Sequence, residues 1–374
     1  EISCSLVGSE MCIRDREKIH MINYTKEESI ALIEALSNAK GAPGFEDEVV
    51  NLIKEKYGEQ FTIQEDSMRN LLIYRKNHSG NKPVIMLDGH SDEVAFIVQS
   101  IRPNGTLKFL LLGGWVTQTV PAHKVLIKNS EGDYIEGIIG SRPPHFGGGD
   151  GQKLEDMIID VGATSYEEVV DLFKIEVGAP VVPDTTFSYN KTTEIMLGKA
   201  FDNRLGCGCV IETLLALEGL ELDVDVVGAI SVQEEVGCRG AKVNVKNIKP
   251  DIAIIFEGSP ADDTFMDKYE AQGCLKKGAQ IRHFDRSFIA NPRLIEEVKK
   301  VAREKEIPYQ CAVRSGGGTD AGPIHLELAA VPCLVLGVPV RYAHTHYGYA
   351  AMKDYKASIE LAVEYIKTLS EETI

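Results

Sequence analysis
The chain has 374 residues, 44% hydrophobic and 26% charged, with a formal charge of -16 and eight cysteines. That length exceeds one ordinary compact domain, and the composition is that of a soluble globular protein with ample core. An acidic balance without basic runs argues against nucleic acid and anionic membrane as partners, and no stretch of about 18 apolar residues is available to span a bilayer.

Glu1 to Arg16 has neither helical nor strand periodicity, precedes Met21, and resembles translated sequencing-adapter sequence; residues 1–20 are expected to be a disordered, non-native leader. Ile30, Ile33 and Leu36 then recur at helical spacing within Glu27 to Asn38. Gly41-Ala42-Pro43-Gly44 breaks that helix, and Glu46 to Tyr57 reads as a second, with acids in its first turn. Short strands are expected over Thr62 to Gln64, Asn70 to Tyr74 and Pro83 to Leu87. The last is continuously apolar, as buried parallel strands are, and runs into Asp88-Gly89-His90-Ser91-Asp92-Glu93.

From Val94 to about Asp184 the texture changes. Strand-like runs (Ala95 to Gln99, Leu107 to Leu112, Lys124 to Ile127, Tyr134 to Ile139) alternate with Gly, Pro and Asn turns. One helix is expected near Tyr166 to Phe173, and a loop at Pro143-Pro144 and Gly147-Gly148-Gly149. This predicts a small β-barrel. Helix and strand then alternate: helices over Asn203 to Leu217, Pro292 to Lys305 and from Tyr355 to Leu369, strands over Val226 to Gln233, Asp251 to Phe256 and Val331 to Leu336. The expected fold is α/β, a mixed sheet sandwiched by helices with a barrel inserted. Residues 21–93 and 185–374 would form the catalytic unit and 94–184 the barrel.

The strand from Val226 stops at Glu234-Glu235. Successive strand residues point to opposite faces, so the two acids are expected to do different jobs, one binding a metal and the other reaching the water beside it. His90, Asp202, Glu235, Glu257 and His344 likewise stand near expected strand or helix ends, where open α/β sheets place their sites. Each has an ordinary reading alone: Asp202 as a helix N-cap, Glu257 as a solvated strand end, either histidine as a hydrogen-bonded surface or core residue. Together, two imidazoles and three carboxylates suit a pair of zinc or cobalt ions with one carboxylate bridging. The cysteines show no zinc-site spacing and read as reduced core residues, the compartment being the cytoplasm.

Six stretches carry a resemblance: Gly41-Ala42-Pro43-Gly44-Phe45-Glu46, Asp88 to Val94, Lys199-Ala200-Phe201-Asp202-Asn203-Arg204, Gln233 to Gly237, Ser315 to Ala321 and Arg341-Tyr342-Ala343-His344. In this order they resemble the tetrahedral (TET-type) aminopeptidases, which include glutamyl and deblocking aminopeptidases. The resemblance implies two divalent ions (Zn or Co) per subunit. His90, Asp202 and Glu257 would hold one ion, and Asp202, Glu235 and His344 the other. Glu234 would be the general base acting on a metal-bound water, Asp92 the acid that orients a ligand imidazole, and the Asp202–Asn203 peptide cis. It also implies short peptide substrates and dimers that assemble into a dodecamer, with the barrel serving assembly and gating. Many members have Asp where this chain has Glu257, which leaves the metal preference open.

Ser315 to Thr319 is glycine-rich, and its backbone donors suit a pocket for the substrate; Gly317, Gly318, Thr319 and Asp320 are the expected substrate-binding positions. Arg314 reads as a pocket charge or a surface charge, Arg341 as a pocket or assembly residue, and His346 as a rim residue. A pocket made positive by these arginines would prefer N-terminal Glu or Asp, and one without them a neutral residue. The alternatives are a deacylase or carboxypeptidase of the related clan, which would use similar ligands, and a non-enzymatic scaffold, which the filled ligand set disfavours. A glycosidase has no place for histidine ligands.

Overall fold
The computed structural model describes residues 24–143, 145 and 153–374. The expected leader and, apart from Pro143 and His145, the expected Pro143–Gly149 loop lie outside the described residues. Helix α1 (Lys26–Asn38) begins on a capping box, in which the Thr25 hydroxyl accepts from the Glu28 amide and the Glu28 carboxylate accepts from the Thr25 amide. Helix α2 (Asp47–Tyr57), β1 (Thr62–Glu65), β2 (Leu71–Tyr74) and β3 (Val84–His90) follow.

Six strands then close into a barrel: β4 (Ala95–Ile101), β5 (Leu107–Leu112), β6 (Lys124–Lys128), β7 (Tyr134–Gly140), β8 (Ile158–Asp160) and β9 (Pro180–Pro183), in the order β4-β5-β8-β7-β6-β9. Phe96, Val98, Phe109, Trp115, Ile127 and Ile159 are among the side chains that fill it. Closure leaves no strand edge open. The helix expected near Tyr166 to Phe173 is a short wide turn, Glu168–Leu172, closed by the Phe173 amide on the Glu168 carbonyl at 3.1 Å. Val169 is its buried residue; without a broader apolar face, packing does not extend so short a helix.

The chain returns through β10 (Ser188–Asn190), β11 (Ile195–Gly198), α3 (Phe201–Leu217), β12 (Asp225–Ser231), α4 (Arg239–Ile248), β13 (Ile252–Ala261), β14 (Ala279–Phe284), α5 (Pro292–Glu304), β15 (Tyr309–Val313), α6 (Ala321–Ile324), β16 (Cys333–Arg341), β17 (Gly348–Ala351) and α7 (Met352–Ile366). The sheet runs β1-β2-β12-β3-β13-β16-β17-β11-β10, with β14 paired to β16 and β15 to β14. Its central strands β12, β3, β13 and β16 are parallel, and β2 and β17 flank them antiparallel. Parallel pairing requires cover on both faces. Helices α1, α3 and α7 pack as one layer, while α4 and α6 pack together against strands of the same sheet. Helix α3 is buried almost all round, as a core helix must be.

Two boundaries differ from expectation. Strand β12 ends at Ser231, so Glu234 and Glu235 belong to the turn beyond it. Strand β13 runs on to Ala261, paired throughout with β16, so Glu257 sits within a strand and not at its end. No helix among the described residues is long and apolar enough to cross a membrane.

Candidate active site
Strand β3 delivers His90 at its last residue, and the imidazole is buried. Its Nδ1 contacts the Asp92 carbonyl at 3.2 Å and the Asp92 carboxylate at 3.4 Å. That fixes the ring so that Nε2 looks at Asp202 Oδ1 (3.2 Å), Glu257 Oε1 (3.5 Å) and Glu234 Oε2 (3.7 Å). Asp202 does not cap α3 with its side chain, as an N-cap would. The helix kinks there, the Asp202–Asn203 peptide is cis, and the carboxylate turns toward the imidazoles. The Asn203 carboxamide holds the kink by accepting from the Gly206 and Gly258 amides, each at 3.0 Å, and donating to the Phe256 carbonyl at 2.8 Å. Only glycine fits at 258: a Cβ would come within 2.5 Å of Asp202 Cα.

The Glu234–Glu235 turn is set by Asp92. One carboxylate oxygen accepts from the Glu234 amide at 2.9 Å and the other from the Glu235 amide at 3.0 Å. Gln233 before them adopts a left-handed φ of 56°. The acids therefore diverge because a buried carboxylate clamps a turn, not because strand residues alternate. His344 stands beyond the end of β16; its Nδ1 donates to the Gly114 carbonyl at 2.7 Å, and Nε2 faces Asp202 Oδ2 (3.3 Å) and Glu235 Oε2 (3.6 Å).

Two groups able to hold a metal ion result, His90–Asp202–Glu257 and Asp202–Glu235–His344, sharing Asp202; a third is Glu234–Cys238–Asp320. A model of the M42 glutamyl aminopeptidases matches residues 70–361. The chain belongs to this M42 family.

The glutamyl aminopeptidase of Lactococcus lactis subsp. cremoris (strain MG1363) is 31% identical over 348 residues, covering 91% of this chain and 97% of that protein. Among solved structures, a TET aminopeptidase from the marine sediment archaeon Thaumarchaeota archaeon SCGC AB-539-E09 shares 37% identity at a TM-score of 0.88, over 93% of this chain and 98% of that one. The Pyrococcus horikoshii TET1 peptidase, described as assembling into a tetrahedron or a large octahedral shell, shares 26% at 0.81, over 91% and 100%. The protein is a peptidase, and its sheet-and-barrel fold is that of the TET enzymes.

In this M42 peptidase the electrostatics of the cluster ask for positive charge. Burial would lower His90, yet the charge of Glu234 and the hydrogen bonds of Asp202, Asp92 and Glu257 hold it well above the ordinary histidine range. His344 is likewise pulled up to about 10 against burial, by Glu235 and Asp202. Burial and then the Asp202 charge push Glu257 up to about 8. Glu234 and Glu235 are raised too, chiefly by burial. Glu235 Oε1 is buried with no partner. Because His344 Nδ1 carries the hydrogen given to Gly114, Nε2 aims a lone pair at carboxylates unless a proton or a metal stands between. The donor set, imidazole nitrogens and carboxylate oxygens at mutual distances of 3.2–3.7 Å, fits a divalent metal.

The cluster opens on a cavity of about 640 Å³ lined by Asp202, Glu234, Glu235, Glu257 and His344 at one end and by Arg282, Arg314 and Ser315 to Gly318 elsewhere. Of the expected substrate-binding residues, Gly317 and Gly318 line it. Thr319 and Asp320 are buried and do not, because the chain dives under the loop to start α6. His346 is buried, stacked on His123 at 4.1 Å, and is no rim residue. Arg341 lies outside this cavity, bidentate on Asp263 at 2.8 and 2.7 Å. Cys311 is exposed on β15, and Cys238 and Cys274 are half-buried, so the cysteines are not all core residues.

Sequence reasoning missed Arg282, a buried arginine in a strand that carried no apolar run to mark it. It also missed the network behind the site. Glu93 Oε1 accepts from Lys199 Nζ (2.6 Å), Arg204 Nη2 (3.1 Å) and the Gly41 amide (3.2 Å). Arg204 also donates to the carbonyls of Ser91, Leu36 and Ala39 at 2.6, 2.6 and 2.8 Å.

Proposed function
We propose that this M42 peptidase is a dinuclear metal-dependent aminopeptidase that removes acidic N-terminal residues from short peptides. The observation that carries this reading is Asp202, whose two oxygens face His90 Nε2 at 3.2 Å and His344 Nε2 at 3.3 Å. A carboxylate so disposed suits a bridge between one ion on His90 and Glu257 and another on Glu235 and His344. Zinc or cobalt held there would polarise the scissile carbonyl and acidify a water toward neutral pH. Glu234 then takes the proton of the attacking water and gives it to the leaving amine. Asp92 fixes the direction of both glutamates through their amides and orients His90 through Nδ1.

Acidic preference is supported by the crowding of two guanidinium groups on the cavity wall. Burial and then the neighbouring Arg282 charge push Arg314 down to about 10; Arg282 is already paired with Asp285 at 3.1 Å, so Arg314 is the guanidinium that a substrate carboxylate would meet. Asp262 also lines the cavity, but its Oδ1 is taken by the Gln272 and Gly273 amides at 2.9 and 3.0 Å. On the same reading, residues 21–93 with 185–374 form the catalytic unit and 94–184 the assembly unit of a homo-oligomer, dimers building a dodecamer. The P. horikoshii TET1 peptidase, which can assemble into a tetrahedron or a large octahedral shell, supports a homo-oligomer.

The test is one preparation assayed for metal content and for kcat/KM on Glu-, Leu- and Lys-p-nitroanilide and on N-acyl amino acids. Two ions per chain with Glu fastest is expected. Turnover of N-acyl amino acids alone would favour a deacylase. Lys ahead by tenfold, about 1.4 kcal/mol of transition-state discrimination, would remove the positive pocket.

A further inference from the structure
Glu234 has two carboxylate oxygens, and they face different neighbours. Oε2 looks toward His90 at 3.7 Å, whereas Oε1 accepts from the Cys238 thiol at 3.2 Å. Beyond Cys238 lies Asp320, 1% exposed, with both carboxylate oxygens buried and without a partner. Donor atoms of Glu234, Cys238 and Asp320 all lie within 4.8 Å of one another. The Asp320 carboxyl also faces that of Asp88, itself fully buried with Oδ2 unpartnered and Oδ1 accepting from the Ser231 hydroxyl at 2.5 Å. One proton shared between Asp88 and Asp320 satisfies one oxygen of each, and the Asp320 oxygen that remains has no donor. Glu234 and Cys238 line the cavity, so an ion has a path in.

We propose that Glu234, Cys238 and Asp320 form a third cation site, separate from the two groups joined by Asp202, and that an ion there switches the peptidase off by occupying Glu234. Binding replaces the thiol hydrogen of Cys238 with a metal–sulfur bond and releases that proton to solvent. The lone pair of Glu234 Oε1 is committed to the ion, so the carboxylate loses the basicity that catalysis requires. A ligand set of one thiolate and two carboxylates takes zinc or cadmium ahead of magnesium or manganese, because sulfur is a soft donor. No local pattern marks this group: Cys238 has no cysteine or histidine at zinc-site spacing, and Asp320 reaches it only through the fold.

The inhibitory half rests on Glu234 being the base; the binding half does not. The experiment loads the full-length enzyme with two equivalents of Co²⁺ and titrates further Co²⁺, and separately Zn²⁺, while recording absorption and turnover of Glu-p-nitroanilide. A thiolate-to-cobalt charge-transfer band is expected only with the third equivalent, together with at least a tenfold fall in kcat and little change in KM. In Cys238→Ser, which keeps a hydrogen-bond donor beside Glu234, and in Asp320→Asn, third-ion affinity should fall at least tenfold, and the band should vanish in the serine variant. Inhibition is read against each variant's own activity at two equivalents. Absence of the band, or equal inhibition of wild type and Cys238→Ser, overturns the third site. Absence of peptidase activity at two equivalents, with the band present, overturns the proposed function instead.

Discussion
Two buried charge clusters meet on the segment His90–Glu93, and they follow opposite rules. Behind it, Glu93 sits against Lys199 and Arg204, and the Arg204 guanidinium distributes its hydrogens over Glu93 and the carbonyls of Leu36, Ala39 and Ser91. In front of it, Asp202, Glu234, Glu235 and Glu257 crowd two imidazoles, and Glu235 Oε1 has no partner at all. The partnered cluster ties the first helix, the end of β3 and the start of α3 together. The other sets four carboxylates against two imidazoles and leaves one oxygen orphaned, so it favours further positive charge. Buried charge that is fully answered is scaffold, and buried charge left open is a binding site.

The largest effect is expected at the shared ligand. Asp202→Ala should lose both ions and all measurable turnover, because each group loses a member; two metals per chain by elemental analysis would deny the bridge. Next comes Glu234→Gln, expected to keep its metals and lose about 10²–10⁴ in kcat, the span of general acid–base catalysis. Near wild-type turnover at full metal content would take Glu234 out of that role. On the other cluster, Arg204→Met should leave metal chemistry formally intact but cost about 3–5 kcal/mol of stability by stranding buried partners. Denaturant midpoints of the metal-free proteins measure it, and an unchanged midpoint would mean the network is not scaffold.

The smallest effect sharpens the contrast through pH. Glu257 stands at about 8 in the folded chain against 4.5 ordinarily, so between these values the folded state holds a proton that the unfolded state has released. Its contribution is full below pH 4.5 and is lost as pH rises through 8. His344, at about 10 against 6.5, acts with the same sign over a higher window. The metal-free protein should therefore melt at progressively lower temperature from about pH 5 to 9, and the slope should flatten when metal is restored. A slope of the opposite sign in scanning calorimetry would show that the carboxylate crowding is relieved some other way.

The α/β alternation and the barrel texture were legible in the chain, because apolar period and turn residues are local signals; strand-end placement held for His90 but not for Glu257, which lies within β13. What was not legible depended on partners distant in sequence. Glu234 and Glu235 diverge through Asp92, and Arg204 finds Glu93, across more than a hundred intervening positions. Strand β14 went unread because Gln280 and Arg282 are buried polar residues, which breaks any hydrophobic pattern. Asp320 was expected in the substrate pocket because it follows the glycine-rich loop, yet the α6 turn carries it into the interior.

The contact between Gly114 and His344 has a mechanical consequence. Gly114 follows the barrel strand β5, while His344 follows the sheet strand β16, so a hydrogen bond of 2.7 Å from the imidazole, backed by the Val116 amide on the His344 carbonyl at 3.5 Å, joins the two bodies at the acid–imidazole cluster. Gly113 is equally close: a Cβ there would lie 3.1 Å from Glu235 Oε2. Excising the barrel would leave every side chain of the cluster on the chain yet free one imidazole to spin, so the sheet alone is not a minimal catalyst. Conversely, strain applied to the barrel's outer wall, for instance by an engineered graft, has a short lever to the His344 ring. The barrel is thus a handle on the chemistry, and substitutions remote from the cavity can tune it.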